Sequence, residues 1–162
     1  EGVFGRALAQ RETGTGPDIV TGGNDSDGPA LLGFVAARFG GEAAARLERL
    51  LLLRRGNSAG EKLLNVDHLG RVHPDQFWQA ATLGNVREQP FEEILAHPLR
   101  RELAERTAHL TGRCGSCRFV EHCRGSHRER ALAHHRDVWA SDPACVMTDA
   151  EIARPSTLSR TA

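Results

Sequence analysis

The chain has 162 residues, 40% of them hydrophobic and 26% charged, with lysine plus arginine matching aspartate plus glutamate at 21 each. That balance leaves no basic surplus to hold nucleic acid, and nowhere do 18 apolar residues run together as a membrane span requires. The length sets one domain-sized unit, or the end of something larger.

Only 5% of residues are aromatic and there is no tyrosine, so the core must be mostly Leu, Ala and Val. Lys62 is the sole lysine, a bias that genome composition explains more simply than any binding role. No positive-then-apolar leader is visible, which places the four cysteines in a reducing cytoplasm, where thiolates favour metal over disulfides. The chain starts at Glu1 rather than methionine, so it reads as a fragment or a processed product.

Residues 1–17 read as a short helix or lead-in rich in glycine. Asp18-Ile19-Val20-Thr21 is strand-like and runs into the polar loop Gly22-Gly23-Asn24-Asp25-Ser26-Asp27-Gly28. A calcium loop fails here, because Gly23 and Phe34 stand where an aspartate and a bidentate glutamate are required. A helix start is the better reading, with Asp27 as cap and Pro29 in the first turn. From Pro29 to Arg55 the apolar period is helical, with Leu31, Leu32, Val35 and Phe39 on one face. Gly40-Gly41 breaks the run, so two packing helices are expected.

Lys62–Asp67 and Arg71–His73 read as two strands joined by the His68-Leu69-Gly70 reversal. Residues 76–82 carry Phe77 and Trp78, and Leu83–Val86 closes that segment. Pro90 opens a helix with Glu92 and Glu93 in its first turn, as the macrodipole prefers. Pro98 interrupts it, and 99–109 continue as a polar helix.

All four cysteines then follow within Thr111–Cys145, as Cys114, Cys117, Cys123 and Cys145 in the pattern C-x2-C-x5-C-x21-C. Two residues between the first pair let both sulfurs face one point, so four thiolates from one patch suit zinc or a 4Fe–4S cluster. Two close pairs are usual for zinc, and the uneven spacing favours the cluster, with disulfides or unliganded thiols as further alternatives. Cys123 is expected at the N-terminus of a helix over 124–134, whose free N–H groups would lower its pKa. Six arginines against two glutamates between Arg113 and Arg136 offset the thiolate charge. His122, His127, His134 and His135 could supply alternative ligands, although four cysteines already close a site.

Residues 112–119 (GRCGSCRF) and 123–131 (CRGSHRERA) resemble the auxiliary-cluster region of radical SAM enzymes of the SPASM/Twitch type. Residues 83–94 (LGNVREQPFEEI) are similar to the connector that precedes those cysteines. Residues 21–28 (TGGNDSDG), 72–78 (VHPDQFW) and 139–145 (WASDPAC) resemble the tetrapyrrole-modifying branch, and within it the enzymes of heme d1 biosynthesis. The likeness covers roughly Asp18 to Ile152.

It implies an α/β fold: the last strands and helices of a partial (β/α) barrel over 1–82, a mainly helical auxiliary 4Fe–4S domain over 83–152, and a disordered tail over 153–162. The auxiliary cluster would sit on Cys114, Cys117, Cys123 and Cys145. The implied reaction removes propionate side chains from a siroheme-derived tetrapyrrole, using S-adenosylmethionine on a second 4Fe–4S cluster and an electron donor protein.

The C-x3-C-x2-C motif for that second cluster is absent, since no cysteine precedes Cys114. The chain therefore looks like the C-terminal part of such an enzyme, unlikely to act alone and paired with a missing N-terminal radical SAM half. Asp75 also stands where full SPASM domains carry a cysteine near the hairpin. Arg87, Arg124 and Arg128 are candidates to clamp tetrapyrrole carboxylates in bidentate fashion, and Asn24, Asp25 and His73 to line the substrate site. Trp78 and Trp139 read as core or lid aromatics. A four-cysteine zinc module for protein binding and an inactive remnant are the readings from other classes.

Overall fold

The computed structural model describes residues 2–153. Three helices come first: α1 (Val3–Thr13), α2 (Asp27–Phe39) and α3 (Gly41–Arg54). The α2–α3 break falls at Gly40, whose φ of 87° lies where a side chain is disfavoured. Of the α2 face read from the sequence, Leu32 is buried, Leu31 and Val35 are partly so, and Phe39 remains 50% exposed. Leu32 and Ala44 join Phe119, Met147 and Ile152 in one core, so the C-terminal third closes over the helical pair. Ser26, not Asp27, precedes α2; its hydroxyl makes no cap bond and is used in the loop instead.

The hairpin forms around its expected turn. Strand β1 (Asn65–Val66) pairs antiparallel with β2 (Arg71–His73), and β2 pairs antiparallel with β3 (Gly84–Asn85). Asp67 builds the reversal, its carboxylate accepting the N–H groups of Leu69 and Arg71 at 2.9 Å each. Strand β1 is shorter than the 62–67 expected, because Ser58 O accepts the N–H groups of Glu61, Lys62 and Leu63 and curls that stretch into a turn. Strand β3 was read only as the end of a segment; two residues that include a glycine carry no alternation to detect. Val72, Leu83 and Ile94 form a second core beneath this sheet.

Seven short helical pieces complete the described residues: α4 (Phe91–Leu95), α5 (Pro98–Ala104), a 3₁₀ turn (Arg106–Ala108), α6 (Gly112–Gly115), α7 (Val120–Cys123), α8 (Arg128–His135) and α9 (Asp149–Ala153). The polar helix expected over 99–109 divides near Glu105, and Arg106 turns inward there with none of its surface exposed. The helix expected from Arg124 starts four residues later. Arg124, Gly125 and Ser126 all have positive φ, of 53°, 74° and 55°, and no helix propagates through such a run.

The described residues form a mixed helical structure with one three-stranded antiparallel sheet. The partial barrel does not appear within it: Asp18–Thr21 takes no regular secondary structure and pairs with no strand among the described residues. Of the tail, Ala153 ends α9, and the rest of that stretch lies outside the described residues. No helix among the described residues is long and apolar enough to cross a membrane.

Candidate metal centre

Cys114 lies in α6, Cys117 in the turn after it, Cys123 at the end of α7 and Cys145 in the loop before α9. All four thiols line one small cavity, together with Arg113, Val120, Gly125 and Ile152. Each is free and partly buried, and Cys117 and Cys145 also back onto the main core. The tight α6 turn depends on Gly115, where an added Cβ would sit 2.4 Å from Leu110 O.

Cys123 was expected at a helix N-terminus; it closes a helix instead, so no bundle of free N–H groups faces it. Burial pushes its thiol up to about 12, with the N–H of Gly125 pulling the other way and the other three thiols adding to the rise. Cys117 is raised for the same reason, against the N–H of Phe119 that reaches its sulfur at 3.3 Å. Crowded, buried thiols resist ionising without a cation, and a bound metal centre replaces their protons.

Two arginines flank the thiols. Arg113 is held charged by Asp149 at 2.5 Å and lies beside Cys145. Burial depresses the Arg128 guanidinium, while the neighbouring Cys114, Asp142 and Cys123 favour its charge.

Four thiols lining one cavity are a donor set that fits an iron–sulfur cluster, and equally a tetrahedral zinc. The backbone N–H groups at Cys117 and Cys123 are the donors that tune such a centre.

The polar glycine loop has its role here. Asn24 donates to Ala144 O at 3.1 Å, Ser26 Oγ accepts the Val146 N–H at 3.2 Å, and the two side chains bond each other at 3.0 Å. Together they hold the residues on both sides of Cys145. Asp25 holds the turn after Cys123: its N–H donates to Ser126 Oγ at 3.1 Å, and its carboxylate accepts from Ser126 and Asn57. Asn24 and Asp25 are thus engaged with the cysteine loops and also line a surface pocket with Gly22, Gly23 and Asp27.

Sequence reasoning missed Asp142 and Arg130. Asp142 is 3% exposed, receives a two-pronged contact from Arg130 at 3.1 and 2.5 Å, and accepts the Ala144 N–H at 3.0 Å. A charged residue within a loop gives no periodic signal that it folds inward.

Arg124 and Arg128, candidate carboxylate clamps from the sequence, are both buried and engaged within the chain. Each is 1% exposed. Arg124 pairs with Glu61 and donates to Ala104 O at 2.8 Å. Arg128 donates to the carbonyls of Val138 (3.1 Å), Ala140 (2.7 Å) and Gly125. His73 is likewise fully buried, with Nδ1 on Ala81 O at 2.7 Å and Nε2 near Asp67 at 3.4 Å, and it does not line the thiol cavity. Arg87 is exposed and braces the hairpin through His68 O at 2.9 Å. Trp78 is buried, and Trp139 stacks on His109 with centroids 4.9 Å apart.

Residues 58–124 match the SPASM family, an iron–sulfur cluster-binding domain, a span that takes in the hairpin and Cys114, Cys117 and Cys123. The chain is 38% identical over 161 residues to the pre-heme d1 synthase of Dinoroseobacter shibae, covering 98% of this chain and 40% of that protein. It is 38% identical over 157 residues to the Fe-coproporphyrin III synthase of Methanosarcina barkeri (93% of this chain, 39% of the relative). To the AdoMet-dependent heme synthase of the same organism it is 30% identical over 112 residues (68% and 31%). No solved structure matches. Residues 58–124 thus carry the SPASM match, and the chain is homologous to these synthases over nearly its whole length while spanning about two fifths of the length of the first two.

Proposed function

We propose that this chain is the auxiliary-cluster part of a radical SAM enzyme of heme d1 biosynthesis, one that removes propionate side chains from a siroheme-derived tetrapyrrole. The observation that carries the reading is the gathering of Cys114, Cys117, Cys123 and Cys145 around one cavity, with backbone N–H groups on two of the sulfurs. A 4Fe–4S cluster bound there would supply one-electron chemistry next to the substrate.

The chain's own residues do the rest. Asn24, Ser26 and Asp142 fix the Cys145 loop, Asp25 and Arg124 fix the turn after Cys123, and Arg113 and Arg128 balance the thiolate charge. Arg87, which is exposed, would be free to pair with a substrate carboxylate. S-adenosylmethionine and its 4Fe–4S cluster belong to the N-terminal radical SAM half of the full-length enzyme, which an electron donor protein would serve. The relatives named for heme d1 and coproporphyrin chemistry support the tetrapyrrole class, with 38% identity to each.

Iron and acid-labile sulfide analysis on protein purified and reconstituted without oxygen tests this. About four iron and four sulfide per chain with a band at about 400 nm are expected, and Cys145→Ala should lower all three. One zinc and no sulfide overturns the redox reading in favour of a structural zinc module. Neither metal, with four thiols free to label once the chain is unfolded, identifies a remnant.

A further inference from the structure

Away from the thiols, three other potential ligands converge. One atom each of Asp75, His127 and Glu129 lies within 4.8 Å of the other two. Asp75 stands just beyond β2, and His127 and Glu129 stand at the start of α8, so the group joins the hairpin to the helix that follows the Cys123 turn.

Each side chain is already aimed. Asp75 Oδ1 accepts the N–H groups of Phe77 and Trp78 at 2.8 and 2.9 Å, which leaves Oδ2 facing His127 Nδ1 at 3.8 Å. Glu129 Oε1 approaches the same nitrogen at 3.4 Å. The Phe77 ring packs on the imidazole, with centroids 5.4 Å apart.

The group is also unsatisfied. Asp75 is 2% and His127 8% exposed, and both His127 Nδ1 and Glu129 Oε2 are buried with no hydrogen-bond partner. Native interiors rarely leave such atoms alone, and each calls for a water, an ion or a ligand. Two carboxylates face an imidazole nitrogen at 3.4 and 3.8 Å without a hydrogen bond to it, an arrangement that suits a cation among them.

We propose that Asp75, His127 and Glu129 bind a mononuclear divalent first-row metal ion, separate from the thiol cavity. The spacing suits it, because ligands about 2.1 Å from one ion lie about 3 to 4 Å from each other, and the two distances from Nδ1 are 3.4 and 3.8 Å. The donors are hard oxygen and borderline nitrogen with no sulfur, which selects Mn2+, Fe2+ or Zn2+ over any cluster. The ion would staple the hairpin to α8, with water completing its shell. A protonated His127 lying between two carboxylates is the rival arrangement, and it takes up no metal.

Mn2+ titration followed by electron paramagnetic resonance separates them, using the full chain after anaerobic cluster reconstitution. Mn2+ disfavours thiolates, and cluster content is read independently from the band at about 400 nm. The expected result is one Mn2+ per chain, with binding at least about tenfold weaker in His127→Ala and in Glu129→Gln and the cluster band unchanged in both. Glu129 is partly exposed, so Glu129→Gln keeps the test open if His127→Ala misfolds. No saturable Mn2+ uptake, or uptake unaffected by either substitution, overturns the proposal and leaves the cluster reading untouched.

Discussion

Replacing Arg128 by methionine separates an internal tie from a substrate clamp. Methionine keeps much of the side-chain volume and removes the guanidinium. Three carbonyls lose their donor, those of Gly125, Val138 and Ala140. A buried acceptor left unpaired costs about 1–3 kcal/mol. Residues 138 and 140 are only partly buried, so water recovers some of that loss; the net should be about 3 kcal/mol. In a domain of this size 1 kcal/mol moves the melting temperature by about 2–4 °C, so a fall of about 6–12 °C is expected. The positive charge beside Cys114 and Cys123 is lost as well, so cluster retention should drop. Thermal melts by circular dichroism on reconstituted protein, with the band at about 400 nm followed in parallel, give both readings. A variant that melts within about 2 °C of the parent and keeps its cluster would refute the interior role, and loss of tetrapyrrole binding alone would restore the clamp.

Gly56→Ala should destabilise the chain by more than about 2 kcal/mol. Its φ is 53°, and a Cβ would lie 2.6 Å from His122 O and 2.7 Å from the Cys123 backbone; an unchanged unfolding midpoint sinks that argument. Asp142→Asn weakens the two-pronged Arg130 contact that frames Cys145, so iron release to a chelator should quicken several-fold, and an unaltered rate contradicts it. For Glu61, burial raises the carboxyl while Arg124 and then Arg55 more than offset it, holding it below 4.5. A depressed folded value contributes stability above the unfolded value and loses it as pH falls. The melting temperature should therefore decline below pH about 4.5, and Glu61→Gln should flatten part of that decline; parallel pH profiles would rule it out.

What was legible in the sequence was whatever has a local cause. The α2–α3 break follows from Gly40, whose backbone needs positive φ, and the hairpin from Asp67 and Gly70, which make the turn without outside help. The four thiols were legible as a set because Cys114 and Cys117 are two residues apart, and that spacing constrains where their sulfurs point. The third strand, the start of α8 and the inward arginines were not legible. Gly84-Asn85 is a strand only because Val72 lies alongside. Arg124 and Ser126 leave the helical region in a turn whose side chains are tied to Glu61 and Asp25, partners 63 and 101 residues away. An arginine-rich stretch looks like solvated surface until those partners exist. The sequence by itself determined the four thiols and their spacing, because they are carried by residue identity over a few positions. Only the tertiary structure decided which charges went inside and what the polar loop at 24–26 holds, because burial and pairing depend on atoms far apart in the chain.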